Sequence, residues 1–274
     1  MRCLIAEQSF LFKILKMTDN KLIIIKVGGN VIDNPSVLSQ VLDDFARIES
    51  RKILVHGGGK VADGLLKKLN ITPQKIEGRR ITDEATLEVV TMVYAGLINK
   101  NVVAQLQARG CNALGLTGAD VNAIEAHKRT KGNVDYGFAG DIDAVNTEGV
   151  AHLLKFAEAI VFAPITHDKK GQLLNTNADT IASTLAVSMS AQFDVTLKFV
   201  FEKKGVLSDP TDDDSVISLI SYADFQAGKA DGSISDGMIP KLDNAFNAMK
   251  AGVQSVVICG TEGVSSTVGT KLML

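Results

Sequence analysis

The chain has 274 residues, 46% hydrophobic and 22% charged, enough to bury a sizeable core in one large domain or two closely packed lobes. A formal net charge of -2 and the lack of any long Lys/Arg run argue against nucleic acid or an acidic membrane surface as the main partner. Cys3, Cys111 and Cys259 are too few and too scattered for a disulfide framework, which points to a reducing, cytoplasmic setting.

Residues 1–17 combine a basic start with apolar positions, but Glu7, Gln8 and Lys13 interrupt any apolar core and no small-residue cleavage site follows, so secretion is not expected. No apolar run approaches the ~20 residues that span a bilayer, so no membrane is expected either. Two readings of the extension, residues 1–20, stay open. It is an oligomer-facing amphipathic helix built on Leu4, Leu11, Ile14 and Leu15, or the working chain starts at Met17.

From Ile23 onward, short β-branched runs alternate with helical patterns. Strands buried on both faces carry no polar alternation, so this is the pattern of a parallel sheet covered by helices. The expected fold is α/β, an open, mainly parallel central sheet sandwiched by helices. A strand over 23–27 ends with Lys26 and runs into Gly28-Gly29. Asn34 then caps a helix that starts at Pro35 and buries Val37, Leu38, Val41, Leu42, Phe45 and Ile48. A strand over 53–55 meets a second glycine turn, His56-Gly57-Gly58-Gly59, and a helix carrying Val61, Leu65, Leu66 and Leu69.

Residues 73–82 suit a surface hairpin, and a long helical pattern follows over about 83–109. A strand over 113–117 precedes a Gly/Asp/Asn-rich stretch, 118–146, that suits hairpins, then a helix through Leu153, Leu154 and Phe156. Residues 159–165 read as a strand, 168–171 as a turn, and Asn177-Ala178-Asp179 as a helix start. A strand over 195–201, a loop with Asp209-Pro210, a helix over 240–251 and a strand over 255–259 that closes the sheet complete the chain. No Pro/Gly/Ser linker divides it, so any lobes share one sheet.

Both glycine turns lie where a strand ends and a helix begins, the ligand edge of an open α/β sheet, where bare backbone lets N–H groups approach an anion. Neither is a Walker loop, since Lys60 is followed by Val61 and not Ser/Thr, nor does either have the dinucleotide spacing. Lys26 therefore stands out as a cation projected into the crevice. A second is Lys241, delivered by Ser233-Ile234-Ser235-Asp236-Gly237-Met238-Ile239-Pro240 into the first turn of a helix, where it opposes the helix dipole. Asp179 can hold the two lysines together, although it and Asn177 also suit helix capping. Arg80 offers a bidentate fork for a carboxylate. His56, His127, His152 and His167 are too dispersed for a zinc site, and no residue cluster is dedicated to a metal.

Lys26-Val27-Gly28-Gly29, His56-Gly57-Gly58-Gly59, Gly78-Arg79-Arg80-Ile81-Thr82, Asn175-Thr176-Asn177-Ala178-Asp179 and Asp236-Gly237-Met238-Ile239-Pro240-Lys241 together resemble the acetylglutamate kinases of the amino acid kinase family. The match in order and spacing runs from about residue 21 to the C-terminus. It implies ATP-dependent phosphorylation of the side-chain carboxylate of an N-acylated glutamate in arginine biosynthesis, with Mg2+ carried on the ATP phosphates. By matching motif, Lys26 and Lys241 would stabilise the transition state and Asp179 would orient them. Gly28, Gly29, Ser233, Ile234 and Ser235 would contact phosphate or nucleotide, and Gly58, Gly59, Arg80, Asn175 and Asn177 the acylated substrate. The acylglutamate lobe would cover roughly 21–173 and the nucleotide lobe roughly 174–274.

Two departures mark this chain. Phe201-Glu202-Lys203-Lys204 stands where relatives have a Ser/Thr-Asp pair, and the C-terminus lacks the Glu-Leu-Phe pattern of arginine-inhibited members, which implies an arginine-insensitive homodimer. Two alternatives accompany this reading. N-succinylglutamate is a possible acceptor through Lys75, Arg79 or Lys100, and a non-catalytic sensor of nucleotide or amino acid is possible on the same fold.

Overall fold

The computed structural model describes residues 20–76, 78–130, 134–209, 211–234 and 238–274, so the extension read over 1–20 lies, apart from Asn20, outside the described residues. In chain order the strands are β1 (Lys21–Val27), β2 (Arg51–His56), β3 (Lys75–Ile76), β4 (Arg79–Arg80), β5 (Ala113–Leu116), β6 (Ile124–Lys128), β7 (Gly140–Val145), β8 (Ala159–Phe162), β9 (Ile165–His167), β10 (Leu173–Asn175), β11 (Asp194–Val200), β12 (Leu219–Ser221), β13 (Ser255–Cys259) and β14 (Thr270–Met273). The helices are α1 (Gly29–Asp33), α2 (Pro35–Arg47), α3 (Gly59–Lys68), α4 (Glu84–Ala108), α5 (Thr147–Leu153), α6 (Ala178–Met189), α7 (Tyr222–Asp231) and α8 (Ile239–Lys250).

The central sheet has eight strands in the order β12-β14-β13-β11-β1-β2-β8-β5. β11, β1, β2, β8 and β5 pair in parallel, as the unbroken apolar runs imply. Alternation along β1 sends Leu22 and Ile24 into one core cluster, with α6 and α8, and Ile25 and Val27 into the other, with α2, α3 and α4. Lys26 therefore falls on the face that α6 and α8 cover. A second sheet, β10-β9-β6-β7, carries Asn175 at its edge, and β3 and β4 form the expected hairpin.

Several boundaries differ from the sequence reading. β13 does not close the sheet: β14 pairs with it antiparallel and β12 lies beyond, both overlooked, as was α7. These edge strands are only 3 and 4 residues long, too short for a period to emerge. The helix expected through Phe156 starts earlier, because the Asn146 side chain accepts from the Gly149 N–H at 3.0 Å, and it ends at Leu153 with Phe156 72% exposed. The strand expected over 159–165 is two: β8 stops at Phe162, Pro164 has no N–H to extend a ladder, and Ile165 opens β9 in the other sheet.

By length and mean hydropathy, α4 is long and apolar enough to cross a membrane. In the fold it is a core helix, with Val89, Val90, Val93, Tyr94, Ile98, Val102 and Leu106 buried in the second cluster.

Candidate active site

The crevice forms at the carboxyl ends of β1, β2 and β11. The two glycine turns adjoin there: the Gly57 N–H donates to the Val27 carbonyl at 3.2 Å, and a Cβ on Gly57 would lie 3.5 Å from the Gly29 nitrogen. A Cβ at Gly57 would therefore be in ordinary contact with the first turn. The Gly28 N–H is held by the Val200 carbonyl at 3.2 Å, so Gly28 lines the cleft without offering the donor that the sequence reading assigned to it.

One part of the crevice, a cleft of about 350 Å³, is lined by Lys26, Gly28, Gly29, Asp179, Phe201 and Lys241, among others. Lys26 is only 7% exposed, and its ammonium pairs with the Asp179 carboxylate at 2.8 Å. Asp179 sits in the first turn of α6, where the helix dipole favours an anion, and the Asn177 side chain caps that helix by accepting from the Thr180 N–H at 3.0 Å. Lys241 enters from the first turn of α8, which has no side-chain cap. Burial lowers its pKa, Asp179 opposes that shift and Lys26 reinforces it, so the two ammonium groups feel each other across the cleft. Asp179 thus pairs with Lys26 and does not bridge to Lys241 as the sequence reading had it; two desolvated cations, one of them ion-paired, are suited to a mobile polyanion.

The other part is a cavity of about 200 Å³ whose lining includes Gly58, Gly59, Lys75, Arg79, Arg80, Asn175 and Asn177. Arg80, 7% exposed, reaches it from the hairpin. Its guanidinium pairs with Asp63 of α3 at 2.6 Å and donates to the Gly59 carbonyl at 3.2 Å. Asp63 also takes Lys75 at 2.6 Å, and these two cations hold its carboxyl below the usual range against the opposing effect of burial. Asn175 donates to the Thr82 hydroxyl at 3.0 Å. Asn177 and Ala178 line this cavity and Asp179 the cleft, so the start of α6 separates the two compartments.

The structure thus brings together Lys26, Lys241, Asp179, Gly28 and Gly29 in the cleft, and Gly58, Gly59, Arg80, Asn175 and Asn177 in the cavity. It does not bring Ser233 or Ile234 there: Ile234 is buried in the core against Gly228, and the Ser233 N–H donates to Asp231 at 2.8 Å. Ser235 lies outside the described residues. Of the three cations proposed for a second carboxylate, Lys75 is taken by Asp63, and Lys100 donates to the Gly115 carbonyl at 2.9 Å away from the cavity lining.

Sequence reasoning missed Asp63, because a lone aspartate on a helix usually means a solvated face. His56, read as structural or surface, is structural. That ring is fully buried, pairing its Nδ1 with the Gly57 carbonyl at 2.7 Å and meeting Asn99 of α4 at 3.4 Å, and burial drives its pKa down to about 4. It is a neutral brace under the second glycine turn.

The family model described as "Amino acid kinase family" matches residues 21–260. Acetylglutamate kinase of Cytophaga hutchinsonii is 55% identical over 260 residues, covering 92% of this chain and 98% of the relative. Acetylglutamate kinase of Bacteroides thetaiotaomicron is 54% identical over 252 residues, covering 92% of this chain and 98% of the relative. Among solved structures, a protein of Streptococcus mutans UA159 superposes with a TM-score of 0.73 at 27% identity, covering 92% of this chain and 98% of that one. Carbamate kinase from Giardia lamblia bound to AMP-PNP gives 0.68 at 14% identity, covering 94% and 99%, a likeness of fold alone.

Proposed function

The chain belongs to the amino acid kinase family, and we propose that it transfers the γ-phosphoryl group of ATP to the side-chain carboxylate of N-acetyl-L-glutamate, giving N-acetylglutamyl 5-phosphate and ADP. The observation that carries this reading is the cation pair. Lys26 and Lys241 line one cleft with Asp179, immediately beside a cavity lined by Arg80 and Asn175.

In this reading Arg80 and Asn175 hold the α-carboxylate region of the acceptor, and the N–H groups at the start of α3 face it across Gly58 and Gly59. The side-chain carboxylate then points past the start of α6 into the lysine cleft. A carboxylate oxygen forms the new P–O bond while the bond to the β-phosphate oxygen breaks, and ADP leaves. The nucleophile has no proton to lose at neutral pH, so no general base is required. The work is alignment and charge neutralisation. Lys26 and Lys241 meet the charge that builds on the transferring oxygens, and Asp179 keeps Lys26 aimed. Mg2+ would ride on the ATP phosphates and neutralise part of their charge.

The acyl group is read as acetyl, in line with the names of the relatives above and with the engagement of Lys75 by Asp63. The reaction serves arginine biosynthesis in the cytoplasm, and the enzyme is a soluble homodimer insensitive to arginine. Light scattering tests the dimer, and assay with added arginine tests the insensitivity. The lobe of roughly residues 21–173 holds most of the acylated substrate, with Asn175 reaching it from the other side, and that of roughly 174–274 holds the nucleotide.

A coupled ADP-release assay across N-acetylglutamate, N-succinylglutamate, glutamate, aspartate and carbamate tests the substrate. Saturable turnover preferring N-acetylglutamate is expected. Ligand binding with no ADP release would favour a sensor instead.

A further inference from the structure

Lys241 has to be held over the reaction centre with its N–H donors free for phosphoryl oxygens. Among the described residues no carboxylate or carbonyl takes its ammonium. What lies beneath it is the ring of Phe201, 3.9 Å from nitrogen to centroid. The Lys26 ammonium stands 5.4 Å from the same centroid. One ring therefore stands within cation–π distance of both lysines.

The ring is itself fixed. Phe201 directly follows β11, its N–H donates to the Cys259 carbonyl at 2.9 Å, and it stacks on Phe199 with centroids 6.2 Å apart and planes 8° from parallel. Phe199, two residues earlier on the same strand face, is 3% exposed in the core cluster beneath the cleft. The platform is thus anchored through the sheet.

We propose that Phe201 is a positioning residue for phosphoryl transfer, an aromatic platform whose negative π face holds the Lys241 ammonium beside the Asp179-paired Lys26 while leaving the Lys241 N–H donors for the transferring phosphoryl group. This deepens the kinase reading above and rests on it. A carboxylate in the same place would attract the lysines too, but it would compete with the phosphoryl oxygens for their donors and add repulsion against ATP. A benzene ring attracts through its quadrupole and makes no conventional hydrogen bond, so the Lys241 ammonium is pre-placed with its donors unspent. The sequence signal was the departure at Phe201-Glu202-Lys203-Lys204, where the aromatic residue replaces a hydroxyl side chain expected from the resemblance.

The test is to replace Phe201 with 4-fluoro-, 3,5-difluoro- and 3,4,5-trifluorophenylalanine, which thin the π face with little change of shape, and to add Phe201→Leu and Phe201→Tyr. Expected is a stepwise fall in kcat with fluorination, reaching roughly 3- to 30-fold in the trifluoro variant, the range a partly desolvated cation–π contact implies. The KM for N-acetylglutamate and the melting temperature stay near wild type, Phe201→Tyr retains activity, and Phe201→Leu matches the weakest fluorinated form. A purely structural ring would give a flat series, and that result overturns the proposal whether or not Phe201→Leu folds. A readout independent of turnover is the NMR signal of the Lys241 ε-methylene, assigned by its loss in Lys241→Arg. It is expected upfield from the ring current in wild type, and an unshifted signal also overturns the proposal. Absence of wild-type turnover alongside a shifted signal would instead count against the kinase reading.

Discussion

Because the attacking carboxylate arrives already ionised, the side chains that matter most are those that handle negative charge. Replacing Lys26 or Lys241 by Met removes a cation from the transition state while leaving the Arg80 cavity intact. Loss of kcat by ~10³ to 10⁵-fold is expected, with the KM for N-acetylglutamate within a few-fold of wild type. Asp63 should produce the opposite split. It fixes the Arg80 guanidinium at 2.6 Å from a helix that begins at the glycine turn, so Asp63→Asn should raise the acceptor's KM by about 10- to 100-fold and leave the KM for ATP near wild type. Steady-state kinetics in both substrates check these outcomes. Lys26 and Lys241 were legible in the sequence because a lysine ending an apolar strand and a lysine opposing a helix dipole both break local rules. Asp63 breaks none, so only its partner on the hairpin shows its use. Ile234 misled in the other direction, since a motif match says nothing of burial, and the fold places it in the core.

The elements meet most tightly where α4 presses on the second glycine turn. Gly58 adopts φ +154°, and a Cβ there would lie 2.3 Å from Ile98 Cδ1 and 3.2 Å from the Tyr94 ring. Gly58→Ala therefore strains the backbone and forces the buried Ile98 and Tyr94 side chains of α4 to shift. A stability loss of ~1 to 3 kcal/mol by urea unfolding is expected, with a raised KM for the acceptor. His56 makes the same junction sensitive to acid. Its folded pKa, about 4, lies below the unfolded value of 6.5, so its stabilising effect is complete above 6.5 and is lost as pH falls toward 4. Between pH 7.5 and 5.5 this amounts to about 1 kcal/mol. Urea unfolding at the two pH values should show that loss in wild type and its absence in His56→Gln. At this scale, caps such as Asn34 and Asn177 were readable because they act within three residues, whereas β12 and β14 depend on partners far along the chain.

Over the whole molecule, the order β11-β1-β2 puts β1 between neighbours reached in opposite directions along the sheet, which opens a crevice at their carboxyl ends. The parallel sheet was visible in the sequence because strands buried on both faces leave unbroken apolar runs. Its order was not, since periodicity says nothing of which strands pair. That order brings Lys26 of β1, Asp179 at the start of α6 and Lys241 at the start of α8 into one cleft beside Arg80. The central claim is that this assembly makes an acyl phosphate, and hydroxylamine trapping reads that product directly. Incubated with ATP, Mg2+, N-acetylglutamate and hydroxylamine, the wild-type protein should form the acetylglutamyl hydroxamate in step with ADP, and Lys241→Met should form almost none. ADP release without hydroxamate, or equal hydroxamate from Lys241→Met, would contradict the account.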